Sequence, residues 1–224
     1  MPTPNYRQRN DPDHFLSRNI PAGAIAPPGK TMTKVLVLFA HPVEESFSAT
    51  LKATVVNTLT ARGWDVDLCD LYTEGFDPVM TAAERRGYHD TATNTLPVQA
   101  YVDRLRNADA LVMVFPVWNF GFPAILKGFI DRVFLPGVSF RLEQGRVKSN
   151  LTNIRKLAAV TTYGANKLRA VLAGDPPRHV VKRALWHACK PDTLRYLALH
   201  DMNRVTLAQR QRYIALVERQ MRHF

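Results

Sequence analysis

Three aromatic residues alternate across a short glycine-containing loop, Trp118-Asn-Phe-Gly-Phe122, between an apolar run and a helical pattern. Aromatic faces in a loop suit a flat ligand with a delocalised ring. The other use of such residues is to pack the loop onto the core, and composition alone leaves both open. A second chemically useful stretch is His41-Pro-Val-Glu-Glu-Ser-Phe-Ser48. Ser46 or Ser48 can cap the helix that follows. The free N–H groups of a helix start make an anion site. Capping accounts for the serines but not for His41, which stands where it can offer a phosphate a donor or a cation. No G-x-G-x-x-G occurs here, so a dinucleotide loop of the Rossmann type is not expected.

The elements that must position these residues alternate along the chain. Val35 to Phe39 is a continuous apolar run, the pattern of a strand covered on both faces. Phe47, Leu51, Val55 and Leu59 then share a helical face that ends near Gly63. Trp64 to Cys69 reads as a second strand, followed by a long polar loop to about Tyr88. Leu96 to Ala108 has helical periodicity, and Ala110 to Phe115 is a third strand. After the aromatic loop, Pro123 opens a helix carrying Leu126, Phe129, Ile130, Val133 and Phe134. Strands at Leu157 to Thr161 and Leu194 to Leu199, and helices at Val180 to Ala188 and Leu207 to Met221, complete the pattern. Such alternation implies an α/β fold with a parallel sheet. Five strands suggest the order 2-1-3-4-5, with ligands beyond the carboxyl ends of the strands.

The motifs resemble those of the flavodoxin-like NAD(P)H:quinone oxidoreductase family, DT-diaphorase and its bacterial relatives. The matching residues are Leu38-Phe-Ala-His41 with Ser46-Phe47, then Asp70-Leu-Tyr72 with Phe76-Asp-Pro78. The longest match is Pro116 to Phe134, strongest at Pro123-Ala-Ile-Leu-Lys-Gly128 and Asp131-Arg-Val-Phe134, and Thr161-Thr162 with Gly164 closes the set. The resemblance implies a flavodoxin-like three-layer sandwich over residues 34–224 that binds a flavin. FAD is expected ahead of FMN. The flavin phosphates would lie near His41, Ser46, Phe47 and Ser48. Its ring would be held by Pro116, Val117, Trp118, Asn119 and Phe120, with Thr161, Thr162, Tyr163 and Gly164 at the other edge. It implies hydride transfer from NADPH or NADH to a quinone-like acceptor by turns at one ring face, in a cytoplasmic homodimer with its pocket at the subunit interface. The family often has two glycines after the threonine pair, where this chain has Tyr163-Gly164. Tyr163 and His179 are the candidates for assisting hydride transfer. Two other readings share the fold: an ancillary subunit of a potassium-efflux transporter, and a flavodoxin-type electron carrier. The carrier docks cationic partners through an acidic surface, which a basic chain does not supply.

Composition bounds the rest. The chain has 224 residues, 46% of them hydrophobic, enough for one large core. No apolar run approaches the length of a membrane span. Cys69 and Cys189 match no metal spacing, and a reduced buried thiol is expected at Cys69. Residues 1–33 hold 6 of the 15 prolines without an apolar period or a signal-peptide core, and read as a flexible tail. Met32, just before the first strand, is a plausible alternative start of translation. The net charge of +11 is concentrated in residues 151–224, with 14 Lys or Arg against 4 Asp or Glu. No base-stacking or groove-reading motif accompanies that charge, so nucleic acid is not the expected partner. Lys167, Arg169 and Arg178 follow the Thr161 strand and would favour the 2′-phosphate of NADPH.

Overall fold

The computed structural model describes residues 32–224. The tail expected over residues 1–33 therefore lies, except for its last two residues, outside the described part. The elements run β1 (Lys34–Phe39), α1 (Phe47–Ala61), β2 (Asp65–Asp70), α2 (Ala82–Arg86), a 3-10 turn (Leu96–Val98), α3 (Gln99–Asn107), β3 (Ala110–Val117), α4 (Ala124–Val133), β4 (Phe140–Glu143), β5 (Arg146–Ser149), β6 (Lys156–Tyr163), α5 (Lys167–Leu172), α6 (Pro176–His179), a π-helical turn (Val180–Leu185), α7 (Trp186–Cys189), β7 (Thr193–Leu199) and α8 (Leu207–Arg222).

The main sheet is parallel, in the order β2-β1-β3-β6-β7. This is the expected 2-1-3-4-5 arrangement in a flavodoxin-like fold. Side chains alternate across each strand. Leu36, Leu38, Leu111, Met113, Leu157 and Ala159 enter one core with α3, α4 and α7. Val35, Val37, Phe39, Val112, Val114, Ala158 and Val160 enter the other with Leu51, Val55 and Leu59 of α1 and Tyr213, Val217 and Met221 of α8. Helices on both faces explain why the strands read as unbroken apolar runs. Both cysteines are free and buried, and burial pushes the Cys189 thiol up to about 12.

The long loop expected between Asp70 and Tyr88 contains the short helix α2. A capping box made by Thr81 and Glu84 starts it. Glu84 also receives two hydrogen bonds from Arg132 of α4, at 2.9 and 2.6 Å. Arg132 reaches the Asp77 carbonyl as well. Gly128 makes this approach possible: a Cβ there would lie 2.3 Å from the Pro78 Cβ and 2.4 Å from its carbonyl oxygen. The shared Phe76-Asp-Pro78 and Lys127-Gly128 motifs are thus one packing junction. The hairpin β4–β5 had no counterpart among the expected strands. Its residues are largely exposed, so no buried face imposes an apolar alternation. Gln144 and Gly145, with φ of 51° and 74°, form its tight turn.

Candidate active site

The carboxyl ends of β1, β3, β6 and β7 open into a groove of about 320 Å³. It lies where the chain crosses from β1 to β3, the position at which this strand order leaves a ligand crevice. His41, Ser46, Phe47, Ser48, Pro116, Val117, Trp118, Thr162 and Gly164 line it together with Met202 and Asn203.

One end of the groove is built to hold an anion. The Ser46 hydroxyl caps α1 by accepting from the Ala49 N–H at 3.1 Å. The N–H groups of Phe47 and Ser48 have no protein partner among the described residues. No acidic residue occupies the first turn of α1, so no carboxylate within that turn offsets the positive end of its dipole. The Val43 N–H donates to Nδ1 of His41 at 3.0 Å. The same Nδ1 lies 3.2 Å from the Val43 carbonyl, so this nitrogen is engaged with the loop backbone and Nε2 is left for another partner.

The opposite wall is aromatic. Trp118 to Gly121 is a tight turn closed by two backbone hydrogen bonds, at 3.2 and 2.8 Å. Both central residues are left-handed, Asn119 at φ 47° and Phe120 at φ 57°. A bulky residue there costs about 1–3 kcal/mol, and such strain collects at ligand sites. The turn leaves Trp118 41% and Phe120 38% exposed. The His41 and Trp118 rings meet edge to face at 5.8 Å, joining the two walls. Phe122 differs from its neighbours: it packs on Phe115 at 5.0 Å and belongs to the core. Phe122 is thus packed as the alternative reading has it, while Trp118 and Phe120 stay partly exposed. Pro123 stands at the N-cap of α4, so the helix begins at Ala124, one residue after the start expected from the sequence.

The third edge is polar. Thr162 lines the groove, and the N–H groups of Gly164 and Ala165 have no protein partner among the described residues. Thr161 is fully buried in β6 and does not line the groove. Its hydroxyl has no hydrogen-bond partner among the described residues, while its carbonyl accepts from Tyr213 at 3.1 Å. Asn119 and Phe120 stand on the exposed turn beside the groove, not in its lining. Met202 and Asn203 were missed by motif reading. The available signal was their place just beyond the last strand, where the same crevice rule applies.

Tyr163 and His179 are both away from the groove. Tyr163 is 1% exposed, and its hydroxyl donates to Asp175 at 2.5 Å and pairs with Tyr196 at 2.6 Å. Burial and these contacts push the phenol far above its usual range. His179 lies exposed on α6 without a side-chain hydrogen bond. Neither residue lines the groove. Arg178 is also committed, paired with Asp175 at 2.6 Å and stacked 4.6 Å over Tyr196. Of the three cations expected to meet a 2′-phosphate, Lys167 and Arg169 remain, both exposed.

The residues fit a flavin. Unpartnered N–H groups at a helix start suit its phosphate, an indole face suits its ring, and unpartnered N–H groups at Gly164 and Ala165 suit its polar edge. The described residues contain no helix long and apolar enough to cross a membrane.

Comparison with known proteins agrees with this architecture. The NAD(P)H dehydrogenase (quinone) 1 of Cavia porcellus is 29% identical over 153 residues, covering 61% of this chain and 56% of that protein. The match thus spans little more than half of the relative's length. An uncharacterized NAD(P)H oxidoreductase of Haemophilus influenzae is 27% identical over 186 residues, 81% of this chain and 90% of the relative. The crystal structure of Smu.1420 from Streptococcus mutans superposes with a TM-score of 0.76 at 28% identity, covering 86% of this chain and 100% of the other. The family model described as a flavodoxin-like fold matches residues 33–223, and the chain belongs to that family.

Proposed function

We propose that the protein is a flavin-dependent NAD(P)H oxidoreductase that delivers two electrons to quinones or similar planar acceptors. The observation that carries this reading is the single groove that joins a helix start without a first-turn carboxylate, an exposed indole and a polar backbone edge. The names of the relatives point to the same chemistry.

A bound flavin supplies the group that accepts hydride from a nicotinamide and returns it to the second substrate. The chain supplies position and electrostatics. The Phe47 and Ser48 N–H groups and the His41 ring would hold the flavin phosphate. Trp118 provides a flat surface that orients planar partners. The N–H groups of Gly164 and Ala165 would meet negative charge at the ring edge, where preorganised donors are most effective. Two substrates that use one face by turns give double-displacement kinetics, with parallel lines in reciprocal rate plots. A homodimer covering the exposed Trp118 and Phe120 belongs to the same reading.

The test is direct. The protein is reconstituted with FAD or FMN, washed and denatured, and the released flavin is identified by chromatography. FAD at about one per chain is expected, with NAD(P)H-dependent reduction of 1,4-benzoquinone. Release of no flavin after reconstitution refutes the reading.

A further inference from the structure

The segment after β6 borders the groove yet has little holding it down. In α5 only Ala170 is buried, while Leu168, Val171 and Leu172 are exposed. The described side-chain hydrogen bonds of residues 166–174 consist of the Asn166 cap on the Arg169 N–H. The anchor comes at Asp175, which is 5% exposed and left-handed at φ 42°. Its Oδ1 accepts from the Tyr163 hydroxyl and its Oδ2 from Arg178 Nε. The Tyr163 ring lies nearly parallel to His200, centroids 4.5 Å apart. A buried carboxylate on a strained backbone persists only where its surroundings over-determine it.

Tyr163 sits between two groove residues, Thr162 and Gly164. On a strand its side chain points away from the face its neighbours use. Its carbonyl accepts from the Met202 N–H at 3.0 Å, and the Ala165 carbonyl accepts from the Asp201 N–H at 3.0 Å. Fixing Tyr163 from beneath therefore positions Thr162 at the end of β6, Gly164 just beyond it, and Met202 and Asn203 on the loop after β7.

We propose that Tyr163 and Asp175 are positioning residues for this wall of the groove, setting where substrates sit without touching them. This rests on the oxidoreductase reading. A family-type role for Tyr163 in hydride transfer would instead require its hydroxyl in the groove.

The experiment uses the flavin-loaded protein with Tyr163→Phe and Asp175→Asn. It measures kcat and KM for NADPH and 1,4-benzoquinone, flavin content, melting temperature, and amide exchange over residues 164–174 and 200–204. For Tyr163→Phe, KM is expected to rise about 5- to 20-fold with kcat within about twofold, because the wall is misplaced while the chemistry is intact. Amide exchange over both segments should quicken. Asp175→Asn should show a smaller KM change, since the amide oxygen still accepts from Tyr163. A large fall in kcat at unchanged KM would make Tyr163 a participant in the chemistry and overturn the proposal. A lower melting temperature with unchanged KM would make the cluster merely structural and also overturn it. If wild type holds no flavin, the oxidoreductase reading fails by itself. Amide exchange still decides the inference in that case: no change in Tyr163→Phe overturns it.

Discussion

Replacing Trp118 with alanine separates a ligand-facing aromatic from a core one. Trp118 is 41% exposed, and its described aromatic partner is His41 at 5.8 Å. A fully buried Trp cut to Ala costs about 3–5 kcal/mol. Here the loss is partial burial and one edge-to-face contact, about 1–2 kcal/mol in total. In a chain of this size each kcal/mol moves the melting temperature by about 2–4 °C, so a fall of about 2–8 °C is expected. The functional loss is different in origin. Stacking of a planar heterocycle on an aromatic side chain is worth about 1–3 kcal/mol. If that contact orients the reacting rings, kcat/KM falls by about 5- to 150-fold. Both quantities are read on one preparation, by thermal denaturation and by initial rates of quinone reduction. Trp118→Phe keeps a π-face and should recover a substantial part of the activity. A melting temperature lowered by more than about 10 °C with kcat/KM within twofold of wild type would refute the reasoning and assign Trp118 to packing.

Four further outcomes follow from the geometry. Gly128→Ala should destabilise by about 1–3 kcal/mol despite the better helix propensity of alanine, because its Cβ meets Pro78 backbone; chemical denaturation measures it, and unchanged stability would place the junction elsewhere. Burial raises the Glu84 carboxyl, but the Thr81 N–H and Arg132 outweigh it and hold the group below its usual range. A lowered folded-state value means stabilisation that is present above the ordinary Glu range and lost as pH falls through the folded value. Glu84→Gln should therefore show a shallower loss of stability on acidification than wild type, and parallel pH curves would contradict this. Arg132→Ala strands Glu84 at a side-chain pair only 9% and 12% exposed and should cost about 3–5 kcal/mol by the same denaturation assay. NADPH should be preferred to NADH through Lys167 and Arg169, with kcat/KM for NADPH falling about tenfold in Arg169→Ala. That preference should shrink as salt rises, since both cations are exposed. Equal use of both nucleotides by wild type would end this assignment.

Much of the fold was legible in local pattern. Val35 to Phe39 and Ala110 to Phe115 announce strands buried on both faces because apolar residues run without a break. The face of α1 and the cap at Ser46 are likewise short-range, since a helix start is satisfied by its own next three residues. The groove-lining set from His41 to Ser48 and from Pro116 to Trp118 was readable because each loop directly follows a strand end. Other features depend on residues distant in sequence, with no period to announce them. The close approach of Gly128 to Pro78 appears only when α4 packs on the loop after β2. The hydroxyl of Tyr163 is committed by Asp175, 12 residues on, and by Tyr196, 33 residues on. A tyrosine after a threonine pair looks the same in sequence whether its ring enters the groove or the core. Strand alternation and the buried carboxylate decide that it enters the core, and the same network pairs Arg178 with Asp175. Met202 and Asn203 reach the groove because β7 is the last strand in the sheet and its loop folds back onto Tyr163 and Ala165. Local spacing thus determined the strands, the helix cap and the binding loops of this protein. Tertiary packing decided which side chains of those loops face a ligand, because only long-range contacts can occupy a hydroxyl, bury a ring or bring two strand ends together.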